Sequence, residues 1–490
     1  MTGALKRQPW EVWALTAIVV VGALLRLWIE LLWRPGFLGF PDSSAYFASV
    51  QHPFADLARP PGYPLAVKLL WQSVPRIEAV ILIQHLLGLA SIVLAYLLAR
   101  MLAAPRWAAL IPAAAVSLGG AQVMLEHSFL SIGPFTFLLL LGMVATCAAA
   151  RLPDERVRAR FGLFVLAGSS LGLAVIMRTY AVLVIVPLLA HVVASEPRLR
   201  PSLVGAAALT LPVIAIALAV IVASPSETGR SGIAPNAFYN YYGRVATFAD
   251  CTKFTPPAGT ALLCPSQAPA ARKGQRYWDF DAQSPLVENF GDSFSSPALP
   301  SERRAVKRFA RAAAFHQPGA YLSAVARDAW RMFDPSFPLN PNPAVGNSEA
   351  GPGPDQMRTE LVDPVWSDRS LMLMVGSSAS QYGSYRSLDG FNAYESVARF
   401  SGVRLAIPLI LCLLAPWLVA AGAHRRGALM LLTSVLILLI FPLLVNMYNY
   451  RYVVPVLPLI WTGAALAIAG LAARIEGRRA QRGVTPTARM

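Results

Sequence analysis

Two short stretches near the start of the chain hold side chains able to do chemistry together. The first reads Phe40-Pro41-Asp42-Ser43-Ser44-Ala45-Tyr46-Phe47; the second reads Ala58-Arg59-Pro60-Pro61-Gly62-Tyr63-Pro64-Leu65. A carboxylate within reach of a hydroxyl can act as a general base. An arginine beside it can hold a phosphate, because its planar fork donates two parallel hydrogen bonds. Together they suit attack of an acceptor alcohol on a carbon whose leaving group is a phosphate. Each residue also has a plainer reading. Asp42, after Pro41 and before Ser43-Ser44, suits a helix N-cap, and Arg59 suits snorkelling towards lipid headgroups.

The elements that must position these residues are set by composition. Of 490 residues, 56% are hydrophobic and 14% charged, with mean hydropathy +0.51. A soluble globular chain carries about 25% charge, so a soluble enzyme, a disordered chain and a fibrous repeat are excluded. Runs of about 20 apolar residues, the length that spans a bilayer, fall at roughly 11–32, 77–100, 107–124, 129–150, 161–177, 180–194, 203–223, 402–422, 428–446 and 452–473. The chain therefore reads as a polytopic α-helical membrane protein with about ten transmembrane helices, or eleven depending on how 161–194 divides. The net charge of +16 comes largely from arginines flanking these spans and not from a basic, aromatic-rich soluble face, so no nucleic-acid partner is expected.

Lys6, Arg7, Arg100, Arg106, Arg151, Arg156, Arg158, Arg160, Arg198, Arg200, Arg425 and Arg426 fall on one set of tails and loops, joined by Arg474, Arg478, Arg479, Arg482 and Arg489. The positive-inside rule places both ends in the cytoplasm, with the first span read as a retained anchor. The expected division is an N-terminal transmembrane module over 1–223 that carries the first outer loop, 33–76. An extracytoplasmic segment follows over 224–401, then C-terminal helices over 402–474 and a basic tail over 475–490. The outer segment, rich in Pro, Gly and Ser, is expected to be of mixed structure, with 301–333 forming a surface helix broken near Pro318. Cys251 and Cys264 both lie in it, where an oxidising compartment permits a disulfide, a closure that contributes about 3 kcal/mol for a loop of that size. Cys147 and Cys412 fall inside spans and read as packing residues.

An acidic residue in the first outer loop followed by a basic-Pro-Pro element, here Asp42 and Arg59-Pro60-Pro61, resembles the GT-C fold glycosyltransferases. These include the protein mannosyltransferases, the aminoarabinose transferases and actinobacterial arabinofuranosyl- and mannosyltransferases. The resemblance covers most of 1–223 and 390–475. It implies a catalytic Asp42 and places Glu126, in Leu125-Glu126-His127-Ser128, where many members carry a second acidic residue. It also implies a donor-phosphate role for Arg59, for Arg178 in Met177-Arg178-Thr179 and for Arg451 in Arg451-Tyr452-Val453-Val454-Pro455. Tyr46, Tyr63, His127 and Tyr450 are candidates to line the substrate. Asp42 is followed by Ser43, where many protein mannosyltransferases carry a second acidic residue. No metal ligands are assigned, since Glu126-His127 alone is a thin basis for a site, although a divalent cation is left open as a cofactor.

The resemblance implies an inverting membrane glycosyltransferase. It would move a sugar from a polyprenyl-monophosphate donor to a glycan, lipid or protein acceptor on the outer face of the cell membrane. The alternative of a different class is a secondary transporter or lipid flippase, which suits ten spans but would want paired Gly/Pro-interrupted helices in corresponding halves. A third reading, a glycan ligase or polymerase, differs in taking a lipid-diphosphate donor.

Overall fold

The computed structural model describes residues 10–37, 41–196, 198–225, 231–291, 299–334 and 388–483. The first nine residues, all of 335–387 and the end of the basic tail lie outside the described residues. Among the described residues eight helices are long and apolar enough to cross a membrane, or nine counting one bent pair, so the chain is a multi-pass membrane protein. Among the described residues the only extended pairing is a single bridge between Phe37 and Ser128. The outer segment's Pro, Gly and Ser residues separate short helices and 3-10 turns in its described parts.

The first helix, α1 (Trp10–Leu32), is followed by two short helices, α2 (Pro41–Ala48) and α3 (Gly62–Ser73), which carry Asp42 and follow the Arg-Pro-Pro element. Then come α4 (Ile77–Met101), α5 (Arg106–Leu118), α6 (Gly120–Glu126), α7 (Ile132–Arg151) and α8 (Val157–Met177). α7 is the centre of the bundle. Its Ile132, Phe135, Leu139 and Met143 are fully buried, with α4 on one side and α8 on the other. α10 (Leu199–Ala223) packs on α8 and exposes Leu211 and Leu218, as a helix facing hydrocarbon can.

Two expected spans are shorter than the apolar runs suggest. The run 107–124 breaks at Gly119, with α5 and α6 bent 54° against each other. The run 180–194 opens as a 3-10 turn over Thr179–Val184 and becomes helical only in α9 (Ile185–Ser195). Eleven helical residues rise about 16 Å against a hydrocarbon core of about 30 Å, so α9 does not cross alone. The helix before it stops because Arg178 adopts an extended backbone, with φ −150° and ψ 105°.

The outer segment builds α11 (Phe238–Ala246), α12 (Gln275–Phe280), α13 (Pro285–Phe290), α14 (Pro300–His316) and α15 (Pro318–Arg331) around their own core of Tyr242, Val245, Trp278 and Phe309. The break between α14 and α15 falls at Gln317, just before Pro318. Cys251 and Cys264 are joined as a disulfide. The chain then returns through α16 (Asp389–Ala398), α17 (Val403–Leu418), α18 (Ala423–Val445) and α19 (Leu457–Gly483). α19 packs against both α17 and α5, which closes the bundle.

Candidate active site at the end of the helical bundle

Asp42 sits in the first turn of α2, and both of its oxygens are taken by arginines. Arg59 Nε donates to Oδ1 at 2.9 Å and Arg451 Nη1 to Oδ2 at 2.6 Å. Each arginine is itself held. Asp56 accepts from the backbone N–H of Ala58 and of Arg59 through Oδ1, and from Arg59 Nη1 through Oδ2 at 2.8 Å. Asn449 Oδ1 accepts from both the backbone N–H and Nε of Arg451, at 3.0 and 3.2 Å. Short loop motifs therefore fix both guanidiniums before any ligand is considered.

Arg178 completes the group from the broken end of α8. Its guanidinium lies 5.9 Å from the Phe135 ring and 5.8 Å from the Tyr452 ring, and its Nε is buried with no hydrogen-bond partner. Arg276 of α12 reaches the same field and interacts electrostatically with Asp42, Arg451 and Arg59. Burial alone would push the Asp42 carboxyl up. Arg451, Arg59 and Arg178 more than offset that and hold it well below the usual carboxylate range. Four guanidiniums, those of Arg59, Arg178, Arg276 and Arg451, thus gather around the Asp42 carboxylate.

Beside Arg276 opens a cavity of about 1040 Å³ between the outer segment and the end of α18, lined by Arg272, Lys273, Gln275, Arg276, Arg327 and Tyr448 among others. Its wall is joined to the bundle by hydrogen bonds. Gln275 Nε2 donates to Asn446 Oδ1 at 2.9 Å, and Asn446 Nδ2 donates to the Tyr452 hydroxyl at 3.0 Å.

The structure brings Asp42, Arg59, Arg178 and Arg451 together from four separate parts of the chain. It separates other candidates from them. Glu126, expected to take part in catalysis, is fully buried. Its oxygens accept from Arg26 Nε and Nη2 at 2.7 and 2.9 Å and from Gln122 Nε2 at 2.6 Å. With its lone pairs engaged inside the bundle, it acts as one half of a structural ion pair. Tyr450, expected to line the substrate, is buried with its hydroxyl donating to the Phe400 carbonyl at 3.0 Å; Tyr452 is the tyrosine that faces Arg178. His127 is fully buried, and its Nε2 lies 2.6 Å from the Trp33 carbonyl.

Tyr46 and Tyr63 are also buried. Their rings meet edge to face at 4.9 Å, the Tyr46 hydroxyl is 3.2 Å from Ser131 Oγ, and the Tyr63 hydroxyl donates to Gln84 Oε1 at 2.7 Å. Gln84 Nε2 in turn donates to the carbonyls of Glu126 and Ser128.

Sequence reasoning missed Asp56, Arg276 and Asn449. Asp56 had a signal in its spacing three positions before Arg59. Arg276 and Asn449 had none, because only the folded chain brings α12 and the turn before α19 to Asp42.

No family model and no curated protein matches the chain. Solved structures do. The oligosaccharyltransferase of Archaeoglobus fulgidus, tethered to an acceptor peptide, is 13% identical and aligns over 98% of this chain and 51% of its own, with TM-score 0.47. ArnT from Cupriavidus metallidurans bound to undecaprenyl phosphate is 16% identical and aligns over 98% of this chain and 82% of its own, with TM-score 0.35. The Saccharomyces cerevisiae protein O-mannosyltransferase Pmt1-Pmt2 complex, bound to its sugar donor, is 14% identical over 48% of this chain and 36% of its own, with TM-score 0.35. The chain thus spans about half the length of the archaeal enzyme it matches.

Proposed function

We propose that the chain is a membrane glycosyltransferase of the GT-C type that takes its sugar from a polyprenyl-monophosphate donor. The observation that carries this reading is the gathering of Arg59, Arg178, Arg276 and Arg451 around Asp42, at a bundle end that opens on a basic cavity. The donor's phosphodiester carries one negative charge and the departing polyprenyl phosphate gains a second, which suits these guanidiniums, and its lipid tail is accommodated by the bilayer around the helices. By the positive-inside assignment this end faces away from the cytoplasm.

With both oxygens paired and its affinity for protons depressed, Asp42 is a weak base as it stands. A donor phosphate competes for the same two guanidiniums. Where the donor's phosphate oxygens share Arg59 and Arg451 with it, the carboxylate is less strongly held and its basicity rises, so donor binding activates the base. The acceptor oxygen then attacks the anomeric carbon while its proton passes to Asp42. The bond from that carbon to the phosphate oxygen breaks, and the electron pair leaves with the polyprenyl phosphate. The arginines stabilise the charge that develops there, which is often the largest catalytic contribution. Attack opposite the leaving group inverts the anomeric centre. Glu126 has no part in this scheme.

The test incubates purified protein with a panel of polyprenyl-monophosphate sugars and envelope extract and identifies the product by mass spectrometry. Covalent transfer that the Asp42→Asn protein fails to perform is expected. Labelled sugar crossing liposomes without transfer would overturn the proposal.

A further inference from the structure

A second cluster of ligating side chains lies at the same end of the bundle, on α1, α4 and the turn after α6, and the proposed transfer reaction does not use it. We propose that Glu30, His85 and His127 form a binding site for a divalent transition-metal ion of the Zn2+ class. One ligating atom from each lies within 4.8 Å of the others. His85 Nε2 is 3.1 Å from His127 Nδ1, and His127 Nδ1 is 3.6 Å from Glu30 Oε2. Tetrahedral bonds of about 2.0–2.1 Å set ligand atoms about 3.3 Å apart, between these two separations.

The tautomers point the same way. His127 Nε2 lies 2.6 Å from the Trp33 carbonyl, an acceptor only, so its proton sits on Nε2 and Nδ1 presents a lone pair. His85 Nδ1 is buried with no hydrogen-bond partner and lies 3.7 Å from Glu126 Oε2, so the proton that suits this carboxylate sits there and Nε2 presents its own lone pair. The two imidazoles then aim lone pairs at one another across 3.1 Å, with a carboxylate oxygen beside them. A cation resolves that arrangement. A histidine ligand whose far nitrogen is held by a carbonyl or a carboxylate is the usual outer support of such an ion.

Access is present as well. Glu30 and His85 line a cavity of about 790 Å³ together with Glu78, whose Oε2 is buried without a hydrogen-bond partner, and with Arg26, Arg34 and Arg76. Arg34 pairs with Glu30 through Oε1, at 3.3 Å, and so leaves Oε2 to the site. The consequence is positional. The His127 carbonyl accepts from the Phe37 N–H at 2.9 Å, and the Phe37 carbonyl accepts from the Phe129 N–H at 3.0 Å. An ion on His127 therefore secures the stretch that leads from α1 to Asp42.

The full chain in detergent, stripped with a chelator and reloaded with Zn2+ or Co2+ alone, tests this without any assay of transfer. About one ion per chain is expected, with ligand distances of about 2.0–2.1 Å by X-ray absorption and visible absorption from tetrahedral Co2+. His85→Gln should abolish both signals, Glu30→Gln should weaken Co2+ binding by at least about 10-fold, and His316→Ala, at an exposed histidine, should change neither. Glu30→Gln keeps the test open should the histidine variant fail to fold, since that side chain sits at the cavity wall. Wild-type uptake no greater than that of either site variant would overturn the site, and would leave a shared proton as what joins the two imidazoles.

Discussion

Asp42 gains its character from what surrounds it more than from its type. Substituting asparagine removes the negative charge and leaves Arg59 and Arg451 facing one another. Loss of a positioned base costs about 100- to 10,000-fold in rate, and that loss is expected for Asp42→Asn in the transfer assay, with insertion and detergent solubility retained. The pH dependence is more discriminating. Asp42 titrates in the folded chain below the value of about 3.9 that an unfolded aspartate shows. Its ion pairs therefore contribute stability in full above about pH 4 and lose it as pH falls through the lower folded value. Burial pushes the other way, and Arg451 is the strongest of the groups opposing it. In Arg451→Gln the carboxyl should move up, so the acid limb of the pH–activity profile should shift to higher pH than in wild type. An unmoved limb would mean that Asp42 is not the group titrating.

The elements that deliver these residues meet with little clearance. At Gly62, the first residue of α3, an added Cβ would sit 2.6 Å from the Ile176 carbonyl oxygen near the end of α8. This contact seats the Arg-Pro-Pro element against the turn that carries Arg178. Gly62→Ala must push α3 away from α8, at about 1–3 kcal/mol, and should lower both the melting temperature and the affinity for a polyprenyl-phosphate sugar. Prolines and a glycine beside Arg59 made this element legible in the sequence. The Arg26–Glu126 pair was not, although an arginine within the apolar run 11–32 was a signal. Its partner lies 100 residues away, and no periodicity relates α1 to α6. Likewise Glu126 reads as catalytic from its place in the family resemblance, and only the packing of α1 against α4 and α6 shows that it is enclosed. Gly88 permits that enclosure, since a Cβ there would fall 2.0 Å from Glu126 Oε2. Glu126→Gln should cost about 3–5 kcal/mol, the penalty of leaving Arg26 buried without its counter-charge, read as a fall in thermal stability in detergent.

At the scale of the whole molecule, hydropathy distinguished bundle from outer segment, but nothing in it said how the two would meet. The junction is polar and buried. Arg244 of α11 donates through Nη2 to Asp328 of α15 at 2.5 Å and to the Leu443 carbonyl of α18 at 2.8 Å, and Asp328 Oδ2 accepts from the Tyr448 N–H at 3.1 Å. Tyr321 adds a bond from its hydroxyl to the Leu444 carbonyl, and the Asn236 N–H donates to the Leu57 carbonyl of the first outer loop. These groups meet from positions 57, 236, 244, 321, 328 and 443–448, which explains why composition alone left the junction unread. It also gives the outer segment a mechanical part, because α12 carries Arg276 towards Asp42 and its register is set by this docking. Asp328→Ala removes the charge opposite Arg244 and should cost about 3–5 kcal/mol at a buried site. The loss should be local. Amide exchange should rise across 236–280 and 318–331, while the cores of α4, α7 and α8 keep wild-type protection. Donor affinity should fall as Arg276 loses its seat. Uniformly raised exchange through the transmembrane helices would show instead that segment and bundle unfold as one cooperative unit.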